Sequence, residues 1–314
     1  MARTAALTLD DFMLFSRVAD LRNLSAVARE RDVPPSQVSR ALARIEQACG
    51  ARLVHRSTHG LSLTEEGDSV AAHGAQMLML ADALDAELDE RRGEPSGLVR
   101  VATSAAFALV LVATLQPLRE RHARLRIEIA ADDRLVDMAR DGIDIAIRTG
   151  APRDGLVARE IGHHHRLLVA APAYVARHGR PRHPDELNQH VLIANSVSPV
   201  INRWPFVVDG QRREVRVSGT LRSDNSGVTL AMALQGLGIA RISSAVAAPM
   251  LAQGLLLALL EPYAERQSSP ISAVMLAGRQ RLPKVQVCVA HFAQWFSANS
   301  AAPAPAAATT SPTS

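Results

Sequence analysis

Ser36, Gln37, Ser39, Arg40 and Arg44 fall within nine consecutive positions, and every one of these side chains can donate a hydrogen bond while none is acidic. Such a set suits the acceptor-rich edges of purine bases and the phosphates beside them. The spacing acquires meaning on a helix starting at Pro35. At 100° per residue, Ser36, Arg40, Ala43 and Gln47 share one side, flanked by Gln37, Ser39 and Arg44. Val38, Leu42 and Ile45 follow i, i+4, i+7 on the opposite side, as a core stripe does.

The surrounding charge agrees. Between Arg22 and Gly60 there are seven arginines against Glu30, Asp32 and Glu46, an excess of four that equals the formal +4 of all 314 residues. This is the electrostatic footprint expected for phosphate contacts. Two helices must precede the donor-bearing one. Thr8 and Asp11 stand as N-cap and N3 before Phe12, Phe15, Val18 and Ala19, and Asn23 can cap a second helix carrying Leu24, Val27 and Ala28. After Gly50, Arg52–Arg56, a turn through Gly60 and Leu61–Leu63 read as a hairpin. This wing would bring Arg56 and His59 to the DNA backbone or minor groove.

A second set of polar residues stands where strands end and helices begin, places at which free backbone N–H groups bind anions. These are Thr103, Ser104, Arg148, Ser196, Asn225 and Ser226, suited to a small organic anion, although each is also an ordinary cap or turn residue. Catalytic patterns are missing. His163-His164-His165 alternates faces in an extended chain and is read as structural or solvated. Gly236-Leu237-Gly238 has Arg241 where a dinucleotide loop needs its third glycine. Lys284, the one lysine, follows Pro283 and cannot complete a phosphate loop. The expectation is no enzyme, no cofactor and no metal.

Elements that position these groups follow from periodicity. Residues 65–92 form one helical pattern, with Thr64 as cap and Glu65, Glu66 and Asp68 in its first turn. Val70, Gly74, Met77, Ala81, Leu84 and Leu88 repeat at four and three, an a/d seam that could pair two chains or pack on its own domain. Arg92–Gly97 is a Gly/Pro/Ser linker. Strands at Leu98–Thr103, Leu125–Ala130 and Ile143–Arg148 then enclose helices at 105–121 and 133–141, a βαβαβ pattern. A second set comprises Arg166–Ala171, a helix at 173–178, Val191–Asn195, a hairpin around Asp209-Gly210, a helix at 228–236 and a strand at 237–243. The tail from Ser297 is of disordered composition.

Apolar residues make up 47% and charged residues 21%, a globular composition. The uncharged runs Val101–Leu118 and Ile242–Leu260 contain polar and proline interruptions, so they read as strand and helix joined by a loop rather than as membrane spans. Two isolated cysteines and an N-terminus without an apolar block point to the cytoplasm.

The runs Asn23–Ala28, Val38-Ser39-Arg40, Ile45-Glu46, Arg52–Arg56 and Leu61–Gly67 together resemble the LysR-type transcriptional regulators over about sixty residues in order and spacing. Leu24 and Val54 stand where phenylalanine is usual, and Pro34 where a serine cap is usual, leaving the start of the third helix to Pro35. The resemblance implies an α/β chain: a winged helix-turn-helix DNA-binding domain at 1–64, a linker and dimerisation helix at 65–92, a hinge at 93–97 and an effector domain at 98–297. The last resembles periplasmic binding proteins, with lobe I at about 98–163 and 269–297 and lobe II at about 166–266. Residues 298–314 are the tail. It further implies a homodimer or homotetramer on an interrupted palindrome in a promoter, a small-molecule effector in a cleft, and RNA polymerase as a partner, with no membrane. The competing expectation is a cytosolic small-molecule-binding protein whose N-terminal domain only dimerises.

Overall fold

Thr8 and Asp11 cap each other: the Thr8 hydroxyl accepts from the Asp11 amide at 3.3 Å, and the Asp11 carboxylate accepts from the Thr8 amide at 2.9 Å. This reciprocal box fixes the start of α1 (Leu9–Leu21). The computed structural model of the chain describes residues 7–57, 60–90, 95–134, 136–150, 155–196, 199–265 and 268–299. His59 and the expected tail from 300 onward lie outside them, as does part of the expected hinge.

Asn23 accepts from the amides of Ser25 and Ala26 and opens α2 (Leu24–Glu30). Helix α3 (Pro35–Cys49) begins at Pro35 without a side-chain cap from Pro34, because the fixed φ of proline suits the first helical position. Val38, Leu42 and Ile45 are buried with Phe15, Val18 and Val27 in the core of this domain. Gly50, at φ 67°, closes α3 in a left-handed conformation that glycine adopts without strain. Strands β1 (Val54–Ser57) and β2 (Gly60–Leu63) pair antiparallel, and the Glu46 carboxylate accepts from the Leu53 amide at 2.8 Å, tying α3 to the hairpin.

The Thr64 hydroxyl accepts from the Gly67 amide at 2.9 Å as α4 (Glu65–Glu90) begins. The first half of α4 lies on α1, with Gly67 against the Leu53 carbonyl and Gly74 against the Phe12 ring. A side chain at Gly67 would overlap that carbonyl, so glycine is what lets the helix approach.

The chain continues through β3 (Gly97–Thr103), α5 (Ala105–Val112), α6 (Leu115–Arg121), β4 (Leu125–Ala131), β5 (Ile145–Thr149) and β6 (Leu156–His164). It then forms β7 (Arg166–Ala170), α7 (Pro172–His178), β8 (Ile193–Asn195), β9 (Arg203–Val208), β10 (Gln211–Arg216), β11 (Leu221–Ser223), α8 (Ser226–Leu234), β12 (Ala240–Ser243), α9 (Ser244–Ala252) and β13 (Leu257–Leu259). It closes with β14 (Ser269–Leu276) and α10 (Pro283–Asn299).

The first lobe is a five-stranded sheet of order β4-β3-β5-β14-β6, parallel among β4, β3 and β5, with β14 antiparallel to both its neighbours. The second has β12-β7-β13, all antiparallel, with β8 and β11 parallel to each other and joined to it through the Leu192–Ile239 bridge. One apolar cluster runs under both lobes, with Phe107, Val110 and Ile147 from the first and Val169, Leu230 and Val246 from the second.

Three expectations need correction. Among the described residues of 133–141 no helix forms, 133–134 being bends and 138–141 turns, because the Asp137 carboxylate accepts from the amides of Ala139 and Arg140 and Asp132 does the same for Arg134, local bonds that compete with helix formation. The helix at 105–121 is split: Thr114 bonds back to the Leu111 carbonyl, and Pro117 has no N–H with which to carry the ladder across. Finally, α10 runs to Asn299, past the expected start of the tail.

Candidate functional site

Two regions gather the candidate residues. On α3, Ser36, Gln37, Arg40, Ala43, Arg44 and Gln47 are exposed and Ser39 is half-buried. Arg40 bends back along the helix, its Nε donating to the Ser36 carbonyl at 3.3 Å. Arg44 is ion-paired with Asp11, which is 2% exposed, so one arm of the outer face also clamps α3 to the start of α1. The clamp explains how a carboxylate can be buried in an otherwise apolar core. Arg56 stands on β1 opposite Leu61.

The second region is a cleft of about 300 Å³ between the two lobes. Ser104, Arg148 and Ser226 line it together. Ser104 caps α5 by accepting from the Phe107 amide at 3.4 Å, and Ser226 opens α8. Ser226 also bridges the lobes: its hydroxyl accepts from the Ala106 amide at 3.0 Å, and its own amide donates to the Asp133 carboxylate at 2.8 Å. Arg148 donates to the Arg134 carbonyl at 3.4 Å. Burial lowers its pKa, against the attraction of Asp132 and Asp133.

Three expected residues do not line this cleft. Thr103 is fully buried in the sheet, its hydroxyl donating to the Ile147 carbonyl at 3.3 Å. Ser196 is exposed beyond the end of β8, and Asn225 turns its side-chain oxygen onto the Val228 amide as the cap of α8. Asn195, one residue before Ser196, lines the cleft instead and is held by Asn202 through bonds of 2.7 and 2.8 Å.

The cleft also contains groups that the sequence reading does not assign to it, His164 being read there as structural or solvated. His164, Arg166 and Arg241 line it, with Phe107, Ile147 and Trp204 as apolar wall. His164 is buried, whereas His163 is exposed beside Glu160, so the triplet alternates faces. Burial, aided by repulsion from Arg166, pushes the His164 pKa down to about 4, leaving a neutral imidazole near pH 7. Among the described residues, no group of three or more His, Cys, Asp or Glu side chains could hold a metal.

Comparison with known proteins connects the two regions. A family model described as "Bacterial regulatory helix-turn-helix protein, lysR family" matches residues 9–68, and one described as "LysR substrate binding domain" matches residues 92–297. The HTH-type transcriptional regulator DmlR of Escherichia coli is 30% identical over 293 residues, 92% of this chain and 94% of that protein. The HTH-type transcriptional activator TtdR of the same species is 28% identical over 288 residues, 91% and 92% of the two chains. Among solved structures, the LysR-type regulator CrgA of Neisseria meningitidis aligns with a TM-score of 0.61 at 24% identity over 91% of this chain and 98% of that one. Full-length AphB of Vibrio cholerae aligns with a TM-score of 0.57 at 22% identity over the same shares. These two carry the fold: a helix-turn-helix domain followed by a two-lobed α/β domain.

Proposed function

The chain belongs to the LysR family, which makes it an effector-responsive, DNA-binding transcriptional regulator and not an enzyme, and on that premise we propose which of its groups perform each task. Helix α3 enters the major groove, where Ser36, Gln37, Ser39 and Arg40 meet base edges and adjacent phosphates. Arg44, Arg56 and His59 serve the backbone.

The observation that carries this reading is the division of α3 into an exposed donor face and a fully buried apolar one. Two copies paired through α4 would set their α3 helices about 34 Å apart, matching an interrupted palindrome upstream of the regulated gene. Arg40→Ala is expected to weaken binding to the gene's own upstream fragment by about 1–3 kcal/mol at fixed salt. Unchanged affinity in a gel-shift or fluorescence titration would remove Arg40 from the interface.

The cleft is the effector site in this proposal, with Ser104, Arg148 and Ser226 on a small organic anion. Ser226 bonds to both Ala106 and Asp133, so a ligand that displaces or reinforces those bonds changes the separation of the lobes. That shift is the signal passed to the DNA-bound dimer or tetramer, where it alters the access of RNA polymerase. Among the described residues no helix is long and apolar enough to cross a membrane. As a reader of DNA, the regulator is proposed to work in the cytoplasm.

A further inference from the structure

Strand β12 runs antiparallel to β7, with Arg241 opposite Leu168 and Ser243 opposite Arg166. Since side chains alternate along a strand, Arg166 and Leu168 share a face, and the same face takes Arg241 and Ser243. The two arginines are thus diagonal neighbours, with Cα atoms about 7–8 Å apart, an arrangement in which like charges repel. Among the described residues, neither guanidinium makes a hydrogen bond or an ion pair. Glu265 attracts Arg241 but is itself bonded to Arg212 at 2.7 Å, and Asp133 is held by the Ser226 amide.

Burial lowers the pKa of both arginines, that of Arg241 to about 10 with Arg166 adding to the effect. Beside them, His164 places Nδ1 3.1 Å from the Ser243 hydroxyl, while its buried Nε2 has no hydrogen-bond partner. Two partly desolvated positive charges and an unused imidazole nitrogen therefore converge on one cleft. Partly buried charges left without a counter-charge are costly. A bound anion carrying one negative charge would offset only half of that excess.

Resting on the reading of this cleft as the effector site, we infer that the effector is a small dianion whose charges are held by Arg166 and Arg241. Dicarboxylates and phosphomonoesters share that chemistry. A volume of about 300 Å³ lies at the small end of ligand sites.

The full-length chain is tested with succinate and glycerol 3-phosphate as the two dianion probes and butyrate as the monoanion matched to succinate. One dianion is expected to raise Tm and to bind by calorimetry, and which one does so identifies the source. Butyrate is expected to bind at least tenfold more weakly than succinate if the dicarboxylate is the source. R166Q and R241Q are each expected to weaken dianion binding at least tenfold. Without ligand, both variants are expected to melt a few degrees above the wild type, whereas R241K, which keeps the charge, is not. Binding of neither dianion, butyrate binding as tightly as the dianion that binds, or unliganded R166Q and R241Q melting no higher than the wild type overturns the inference. Thr149→Trp, at the exposed rim of the cleft, separates the two claims. Ligand binding that survives it refutes the cleft as the effector site, while binding that it abolishes but that ignores R166Q and R241Q refutes only the dianion.

Discussion

His164 sits at the first crossing between the lobes, and burial holds it neutral in the folded chain down to a pKa of about 4, against 6.5 for an ordinary histidine. The folded protein therefore binds fewer protons here than the unfolded chain between those two values, so stability rises with pH across that window. This contribution is complete above pH 6.5 and is lost as pH falls through about 4. His164→Gln is expected to flatten the difference in urea-unfolding free energy between pH 7 and pH 4.5, by up to about 1.4 kcal/mol per pH unit. Parallel curves for the two proteins would show that His164 titrates normally. At this scale the sequence is half legible. Arg40 and Ser36 are readable because helix geometry alone decides which way they face. Arg166 and Arg241 lie 75 positions apart in the chain, and only the pairing of β7 with β12 brings them together.

Helix α4 shows how far periodicity carries at the scale of elements. The a/d pattern is legible in the sequence, but that pattern serves two partners. Ala71, Gly74 and Ala75 are buried on the domain's own side, whereas Met77 at 47%, Leu80 at 72% and Leu84 at 56% exposed are apolar and uncovered in a single chain. LysR regulators form oligomers, and this stretch is the surface expected to bury itself in one. Leu84→Glu is expected to raise the dimer dissociation constant by at least a hundredfold, since each lost leucine burial is worth about 1.5–3 kcal/mol and occurs twice across a twofold axis. Sedimentation equilibrium would read it, and an unchanged dimer would place the interface elsewhere. The described residues of 133–141 mark the opposite case. Apolar spacing there mimics a helix, and the Asp132 and Asp137 side chains override it through bonds to backbone amides that no hydrophobic pattern records.

For the whole molecule, the positive charge concentrated between Arg22 and Gly60 contrasts with a chain that is otherwise balanced. Affinity for the upstream fragment should fall linearly with salt on a logarithmic plot, with a slope of about −0.9 for each phosphate neutralised. Two copies each contributing Arg40, Arg44 and Arg56 give an expected slope near −5, and a flat plot would mean that no phosphates are contacted. Contact between the linker helix and the first lobe includes the pair of Asp68 on α4 with Arg140, which joins the regulator's two functions within one chain. The reader was legible from its residues, and the two lobes, with the return of 269–297 to the first, followed from the resemblance, whereas the antiparallel sense of β14 was not legible. That return has a consequence for how the protein is made. Strands β5 and β6 wait for β14 to complete their sheet, so a ribosome working at 5–20 residues per second leaves them incomplete for roughly 6–25 s. The reading domain, whose core is built within Leu14–Ala71, can meanwhile have folded, and newborn chains would be competent to touch DNA before they can sense anything.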